Sequence, residues 1–303
     1  MMREKIIFLV GPTAVGKTAA AVNLAKKING EIISCDSMQI YKGMDIITSK
    51  PSKLLLKKVP HHLIGVISPI KEYDVSRYRK DALKKIKAIF KKGKVPIFVG
   101  GTGLYVSILV NGIFERKTED LKFRARLYKE AIKRGSKKLH LRLKKIDSAA
   151  AAKIHPNDTR RIVRALEVFK TTGKPISLLQ KQRSGLAKSY DVRIFCLNME
   201  REKLYQRIDA RVDKMFREGL LREVKKLLKL KLSKTARYAI GIQELKAYFD
   251  GLYDLEEAKR LIKRNSRHYA KRQLTWFRKD KRIKWIEVDK HGKSVISNHK
   301  IIF

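Results

Sequence analysis

Residues 11–18 read Gly-Pro-Thr-Ala-Val-Gly-Lys-Thr, a phosphate-binding loop pattern that stands between an apolar run and a helical pattern. Gly11 and Gly16 allow the backbone to curl so that successive N–H groups face one anion. Lys17 can reach a terminal phosphate, and the Thr18 hydroxyl can hold Mg²⁺. The positive end of the following helix dipole adds to the attraction. The loop therefore predicts a ligand with a di- or triphosphate group, without identifying a reaction. The residues predicted to bind it are Gly11, Pro12, Thr13, Ala14, Val15, Gly16, Lys17 and Thr18.

Short apolar runs at residues 6–10, 31–35, 95–99 and 192–197 alternate with helical patterns. This alternation is typical of parallel strands joined by helices, so we expect an α/β fold with a parallel sheet flanked by helices. From about residue 115 to 189 the strand signals stop and helical stretches follow one another. We therefore predict a core in two parts, residues 1–113 and 191–303, with an all-helical insertion over residues 114–190.

The charge of the chain is strongly basic, with 72 Lys and Arg against 29 Asp and Glu and a formal net charge of +43. Such an excess opposes compaction through self-repulsion and favours a polyanionic partner. A general lysine bias of the composition is the alternative. The two cysteines, Cys35 and Cys196, lie far apart in apolar runs and indicate neither a disulfide nor a zinc site. No apolar run approaches the ~18 residues of a membrane span, and we expect a soluble, cytoplasmic protein.

Asp36 directly follows the apolar run after the phosphate loop. The carboxyl ends of parallel strands meet at one edge of a sheet, so Asp36, the loop and Gly100-Gly101-Thr102 should converge. The carboxylate could orient a Mg²⁺-bound water or act as a general base beside the phosphates. Alternatively, it caps the next turn.

Clustered arginines mark two predicted helices. Arg160, Arg161 and Arg164 lie on one amphipathic helix, where they suit phosphate contacts or form an ordinary solvated face. Arg207 and Arg211 alternate with acids on another helix, and they either line a pyrophosphate pocket or form intrahelical ion pairs. In the basic stretch 264–278, Tyr269, Trp276 and Phe277 could stack on bases or anchor the core.

Seven blocks of the sequence together resemble the bacterial tRNA dimethylallyltransferase family. They are residues 11–18, 34–41 (Ser-Cys-Asp-Ser-Met-Gln-Ile-Tyr), 50–51 (Lys-Pro), 100–105 (Gly-Gly-Thr-Gly-Leu-Tyr), 155–158 (His-Pro-Asn-Asp), 161–168 (Arg-Ile-Val-Arg-Ala-Leu-Glu-Val) and 270–276 (Ala-Lys-Arg-Gln-Leu-Thr-Trp). The blocks occur in the same order as in the family. The resemblance implies a P-loop kinase-like core with a helical insertion and a nucleotide-binding motif. It also implies transfer of a dimethylallyl group from its diphosphate to N6 of the adenosine 3′ to the anticodon.

The resemblance also implies roles for individual residues. Asp36 corresponds to the general base, and Thr13 and Arg211 correspond to catalytic residues. Lys17, Thr18 and Arg211 correspond to ligands of the diphosphate and Mg²⁺. The residues that correspond to tRNA contacts are Asp36, Ser37, Met38, Gln39, Thr102, Arg124, Arg160, Arg161, Ile162, Val163, Arg164 and Gly241. The expected partners are dimethylallyl diphosphate and the anticodon stem-loop of tRNA, bound by a monomer.

The chain departs from the family pattern at two places. The family's Asp-Ile-Gly-Thr-Ala-Lys-Pro is Asp-Ile-Ile-Thr-Ser-Lys-Pro at residues 45–51, and its Ile-Gly-Tyr is Ile-Gly-Ile at residues 240–242. The first removes a glycine from a turn, and the second removes a possible stacking ring. The main alternative function is that of a P-loop small-molecule or nucleotide kinase, which needs no polyanion. A nucleotide-gated RNA-binding protein would bind tRNA and leave it unchanged.

Overall fold

In the computed structural model of the protein, residues 3–114 and 119–289 are described. The predicted helical insertion includes residues 115–118 and the predicted second part of the core includes residues 290–303, and these residues lie outside the described ranges. The elements in chain order are β1 (Lys5–Val10), α1 (Lys17–Lys27), β2 (Gly30–Ser34), α2 (Lys53–Lys58), β3 (His61–His62), α3 (Val75–Phe90), β4 (Val95–Gly100), α4 (Gly103–Asn111), α5 (Leu121–Arg134), α6 (Ser136–Ile146), α7 (Ser148–Ala151), α8 (Thr159–Thr172), α9 (Ile176–Lys181), α10 (Leu186–Ser189), β5 (Asp191–Asn198), α11 (Arg201–Arg217), α12 (Leu220–Leu228), α13 (Ile242–Phe249), α14 (Leu255–Phe277) and β6 (Lys284–Glu287).

The described strands form one parallel sheet in the order β3-β2-β4-β1-β5-β6. Strand β1 lies inside the sheet, with Ile7 opposite Ile97 of β4 and Arg193 of β5. Its apolar run is buried from Ile6 to Val10, as expected for a strand covered on both faces. The α/β fold class predicted from the sequence is confirmed.

Three elements of the sheet and its surroundings, β3, β6 and α4, have no clear signal in the sequence. Strand β3 has only two residues. Strand β6 buries Ile286 but exposes Lys284 and Glu287, as an edge strand does. Helix α4 carries the apolar stretch Leu-Tyr-Val-Ser-Ile-Leu-Val, which is buried along most of its length. A helix buried on nearly every side shows no polar face and hence no helical period.

The chain divides into two compact units, residues 1–110 with 189–303, and residues 111–188. We call the first the sheet unit and the second the helical unit. The sheet unit has a core on one face of the strands, with members such as Ile7, Ile97 and Phe195, and residues such as Phe8 and Phe98 are buried on the other face. In the described part of the helical unit all regular elements are helices, and Leu127, Leu143 and Leu166 are among the side chains that form a separate core.

The loops after β1, β2 and β4 approach one another closely at the carboxyl edge of the sheet. A Cβ atom on Gly100 would lie 2.1 Å from the Cys35 carbonyl oxygen, and one on Gly11 would lie 2.6 Å from the Leu197 carbonyl oxygen. Thr102 N donates to the same Cys35 oxygen at 3.2 Å. Glycine is therefore required where these backbones pass, and the edge gathers the predicted site residues.

None of the helices in the described ranges combines the length and apolar character needed to cross a membrane.

Candidate active site

The phosphate-binding loop joins β1 to α1 and curls through left-handed backbone conformations. Gly11 has φ +143°, Ala14 has φ +64° and Gly16 has φ +103°. Gly16 is also the residue before the first turn of α1, where backbone N–H groups lack helical acceptors. This backbone has the form that the glycine pattern predicts for an anion-binding loop.

Lys17 folds back onto the loop that carries it. Its Nζ donates to the carbonyl oxygens of Gly11, at 3.0 Å, and Pro12, at 2.6 Å. Burial lowers the pKa of Lys17 to about 8, the positive charge of Arg211 adds to the decrease, and the negative charge of Asp36 opposes it. The ammonium group is thus held in the loop with neutral acceptors, within electrostatic range of one anion and one further cation.

Arg211 of α11 also contacts the phosphate-binding loop. Its Nη1 donates to Thr13 Oγ1 at 3.0 Å, and its Nε donates to Ser49 Oγ at 2.7 Å. Burial lowers the pKa of Arg211, and the charge of Asp36 partly offsets this. One turn earlier, Arg207 Nε donates to the Ala14 carbonyl oxygen at 2.9 Å. Arg207 and Arg211 of α11 therefore both line the phosphate-binding loop.

The two acids that alternate with these arginines along α11 form ion pairs with another helix. Asp209 accepts from Arg267 Nη1 at 2.7 Å, and Asp213 lies 2.7 Å from Lys263 Nζ. Both cations belong to α14, so the acids of α11 bind the neighbouring helix. This leaves Arg211 with hydroxyl acceptors, which a phosphate could replace.

Gln273 of α14 is a site residue that the sequence analysis did not single out. Its Oε1 accepts from Thr13 N at 2.8 Å, and its Nε2 donates to the Gly101 carbonyl oxygen at 3.0 Å. A Cβ on Gly101 would lie 1.9 Å from Gln273 Nε2, which explains the glycine. Gln273 is 5% exposed, and it ties the phosphate-binding loop to the loop after β4. A glutamine in a basic helical stretch gives no sequence signal for this role.

Asp36 lies beyond the end of β2 and is half-buried. Its Oδ1 accepts from Met38 N at 2.9 Å and from Gln39 N at 3.4 Å, so the turn-capping interpretation holds for this oxygen. Oδ2 has no hydrogen-bond partner among the described residues. The carboxylate charge raises the pKa values of Lys17 and Arg211 against the effect of burial. Oδ1 of Asp36 thus caps the turn, and Oδ2 is available for chemistry beside Lys17 and Arg211.

Thr102 and the residues after Asp36 form one hydrogen-bonded group. Ser37 N donates to Thr102 Oγ1 at 3.0 Å. Gln39 Nε2 donates to the Thr48 carbonyl oxygen at 3.3 Å, while Met38 is half-buried. The pKa of Tyr269 is raised by burial and by the Asp36 charge, and its hydroxyl interacts with Thr102. Four of the predicted tRNA contacts therefore lie together at the carboxyl edge of the sheet.

The aromatic residues of the basic stretch 264–278 were predicted either to stack on bases or to anchor the core, and they differ in exposure. Phe277 is 1% exposed and belongs to the core. Trp276 is 42% exposed, although its ring passes so close to Gly103 that a Cβ there would lie 2.2 Å from Trp276 Cδ1. The ring is thus held close to the first residue of α4 and is partly exposed.

In the helical unit, two of the predicted tRNA-binding arginines bind a buried acid. Glu167 is fully buried; it accepts from Arg124 Nε and Nη2, both at 3.0 Å, and from Arg164 Nη1 at 2.8 Å. Burial raises the pKa of Glu167, but these hydrogen bonds and one from Asp120 N outweigh it, so the pKa is lowered overall. Arg124 therefore has a structural role in holding α5 against α8.

The remaining residues of that stretch differ in exposure. Arg160 and Arg161 are exposed, and Arg161 Nε lies 3.2 Å from Asp158 Oδ2. Ile162 and Val163 are 0% and 1% exposed. Their side chains are packed in the core of the helical unit, so a tRNA contact at these two positions stays a prediction that concerns the backbone. The arginines are the residues of this stretch that present charge to solvent.

Comparisons with known proteins identify the family. The model of the IPP transferase family matches residues 39–280, which is most of the chain, and the model of the isopentenyl transferases matches residues 4–65. The chain belongs to the IPP transferase family. It is 49% identical to the tRNA dimethylallyltransferase of Carboxydothermus hydrogenoformans over 99% of this chain and 97% of that protein. The relative of the same name in Geobacter sulfurreducens is 47% identical, over 94% and 92%.

Solved structures of IPP transferases show the same architecture. The full-length tRNA isopentenylpyrophosphate transferase of Bacillus halodurans is 44% identical with a TM-score of 0.70, over 95% of this chain and 92% of that chain. A eukaryotic dimethylallyltransferase acting on tRNA is 32% identical with a TM-score of 0.80, over 94% and 74%. The family prediction, and the prediction of an enzyme of this family, are confirmed.

In this IPP transferase the two departures from the family pattern meet. A Cβ on Gly241 would lie 3.3 Å from Ile47 Cδ1. Gly241 has φ +106° and donates its N–H to Glu244 Oε2 at 2.8 Å, which caps α13. Ile47 and Ile242 are 7% and 1% exposed. The side chains at both departures are therefore buried, and Ile47 lies beside Gly241, which the chain keeps.

Proposed function

We propose that this protein transfers a dimethylallyl group from dimethylallyl diphosphate to N6 of the adenosine 3′ to the anticodon in tRNA. The observation that carries the proposal is the convergence of three charged groups at one edge of the sheet. Lys17 and Arg211 both contact the phosphate-binding loop, and the Asp36 carboxylate after β2 acts electrostatically on both cations. A phosphate-binding loop alone would also fit a kinase. The Asp36 carboxylate beside the loop, and the eukaryotic relative described as acting on tRNA, support a nucleophile delivered from RNA.

Asp36 would act as the general base. The lone pair of an adenine N6 is delocalised into the ring, so the amine is a weak nucleophile and gains acidity as it attacks carbon. In the step, the N6–C bond forms, the allylic C–O bond breaks, and the N6 proton passes to the carboxylate. Since Oδ1 is held by the N–H groups of Met38 and Gln39, Oδ2 is the oxygen assigned to that proton.

The two cations would stabilise the leaving diphosphate. Charge develops on the bridging oxygen as the C–O bond breaks, and preorganised donors in a partly buried site stabilise it strongly. Lys17 Nζ now contacts two loop carbonyls, and Arg211 contacts two hydroxyls. A diphosphate replaces these neutral acceptors with anionic ones, and charged pairs make the stronger hydrogen bonds.

Mg²⁺ at this site would be bound mainly by oxygens of the diphosphate, with few ligands from the protein. Among the described residues no group of three or more histidine, cysteine or acidic side chains is arranged to hold a metal ion. Thr18, half-buried in the first turn of α1, would supply its hydroxyl, and diphosphate oxygens would supply most other ligands. The chemistry that the ion supplies when bound is neutralisation of diphosphate charge.

The tRNA would be bound by basic and polar residues of both units. In the sheet unit these are Ser37, Met38, Gln39, Thr102 and the segment at Gly241. In the helical unit the exposed Arg160 and Arg161, with Arg164, would contact phosphates, because guanidinium groups bind phosphate bidentately. The formal net charge of +43 supports a polyanionic partner. The target base must leave its stack to reach Asp36, which costs least in a single-stranded loop.

The test combines the purified protein with unmodified tRNA, dimethylallyl diphosphate and Mg²⁺, followed by mass analysis of the digested nucleosides. We expect one adenosine to gain a C5H8 unit and inorganic diphosphate to be released in equal amount. Reactions without tRNA and with ATP in place of the prenyl donor serve as controls. Unmodified adenosine together with turnover of ATP would refute the proposal and favour the kinase.

A further inference from the structure

The turn at residues 45–50 presents Ser49 to Arg211, and it is held from outside by one carboxylate. Glu223 of α12 accepts from Asp45 N and Ile46 N through Oε2, both at 2.9 Å, and from Ile47 N through Oε1 at 2.8 Å. Charge-assisted bonds of this kind are stronger than neutral ones. Within the turn, Ser49 N donates to the Ile46 carbonyl oxygen at 2.9 Å. Glu223 thus fixes the first half of the turn, and the turn fixes Ser49.

Ser49 adopts a backbone conformation that side chains disfavour. Its φ is +47°, and such strain persists where the surroundings impose it. The Ser49 hydroxyl accepts from Arg211 Nε at 2.7 Å. Its other neighbours are more distant, with the Ile46 carbonyl oxygen at 3.5 Å and Met215 Sδ at 3.8 Å. The bond to Arg211 is therefore the main contact of the hydroxyl.

That bond fixes the plane of a guanidinium group. With Nε held by Ser49 and Nη1 held by Thr13, a planar group has two of its donors anchored. Nη2 has no hydrogen-bond partner among the described residues. The family pattern has alanine at position 49, where no hydroxyl could hold Arg211. The Ser49 hydroxyl is therefore a contact to Arg211 that an alanine at this position could not make.

We infer that Ser49, itself held by the turn that Glu223 binds, is a positioning residue that orients Arg211 for the diphosphate of the prenyl donor. The inference rests on the proposed function for the identity of the donor. It requires only diphosphate binding, however, and this can be measured without turnover. Preorganisation lowers the cost of ordering a long side chain when its ligand arrives, so the effect should appear in donor affinity.

The experiment measures binding of inorganic diphosphate by calorimetry, and steady-state kinetics with tRNA, for the full chain and its variants. Ser49→Ala removes the hydroxyl, and Ser49→Gly also removes the backbone strain. We expect both to weaken diphosphate binding and to raise KM for dimethylallyl diphosphate by about two- to tenfold, the effect on binding of ordering one long side chain. KM for tRNA should stay within about twofold. Glu223→Gln, which keeps the shape but lacks the charge, should change donor affinity in the same direction.

A double-mutant cycle separates positioning from general structural damage. In an Arg211→Lys background, Ser49→Ala should have no further effect on diphosphate affinity, because the group it orients is gone. Equal affinity of Ser49→Ala and the unaltered protein, or an undiminished effect of Ser49→Ala in the Arg211→Lys background, would overturn the inference. An unaltered protein that binds diphosphate but does not modify tRNA would contradict the proposed function and leave the binding comparison decisive for Ser49.

Discussion

A buried acid at the edge of the sheet gives a stability prediction with a defined size. Glu31, the second residue of β2, is 1% exposed, and its carboxylate contacts one histidine and two lysines. His62 Nε2 lies at 2.7 Å, and Lys92 Nζ and Lys94 Nζ both lie at 3.2 Å. Burial raises the pKa of Glu31, but the hydrogen bonds from His62, Lys94 and Lys92 outweigh it and lower the pKa to about 2.

The size and sign of the effect follow from that pKa. Its ordinary value is 4.5, and at about 1.4 kcal/mol per pH unit the difference corresponds to about 3 kcal/mol. Because the folded pKa lies below the unfolded one, this stability is fully present above about pH 4.5. It is lost as the pH falls from about 4.5 to about 2. Glu31→Gln should therefore lower the free energy of unfolding by about 3 kcal/mol at pH 7 and flatten its acid dependence over that window.

Tryptophan fluorescence during urea unfolding is a suitable assay, since both tryptophans of the chain, Trp276 and Trp285, lie in the sheet unit. Glu256→Gln is the matched control. It removes the same charge from an exposed pair with Lys259, and we expect a change below about 0.5 kcal/mol. Equal stability of Glu31→Gln and the unaltered protein at pH 7, or an unchanged acid dependence, would refute the electrostatic reasoning.

Three further predictions concern the two units. Arg124→Ala should destabilise the helical unit by about 1–3 kcal/mol in urea unfolding followed by circular dichroism, because Glu167 stays buried with fewer donors; stability equal to that of Arg160→Ala would contradict the structural role. Gly101→Ala should weaken diphosphate binding in calorimetry, because the added Cβ would lie 1.9 Å from Gln273 Nε2 and displace the amide from Thr13 N; unchanged affinity would show that Gln273 is not needed there. Arg160→Ala combined with Arg161→Ala should reduce the salt dependence of tRNA binding by about one unit of slope per lost phosphate contact, measured by filter binding across a salt series; an unchanged slope would leave these arginines as a solvated face.

The parts of the fold that the sequence predicts are those governed by local patterns. The four predicted strands each carry a short run of mainly apolar residues, and helical patterns separate them along the chain. The phosphate-binding loop is readable because its glycines, Lys17 and Thr18 stand at fixed spacing. Asp36 is readable because the carboxyl ends of parallel strands converge.

The parts that could not be predicted depend on contacts between distant segments. Gln273 is 260 positions from Thr13, and Glu223 is more than 170 positions from the turn whose N–H groups it binds. No local pattern distinguishes these side chains from other polar residues on basic helices. The roles of Arg124 and Glu167 were missed for a similar reason, since a charged pair buried between helices looks in sequence like an exposed one.

The central claim is that the Asp36 carboxylate takes the proton from N6, and Asp36→Asn tests it most directly. Asparagine keeps an oxygen that can accept from Met38 N and Gln39 N, so the turn is preserved while the base is removed. The measurement is the single-turnover rate of tRNA prenylation, with tRNA and diphosphate affinities determined for the same variant. We predict a rate lower by about 10²- to 10⁴-fold, as for the loss of a general base, with both affinities within about twofold of the unaltered protein. A variant that prenylates tRNA at the unaltered rate would contradict the account.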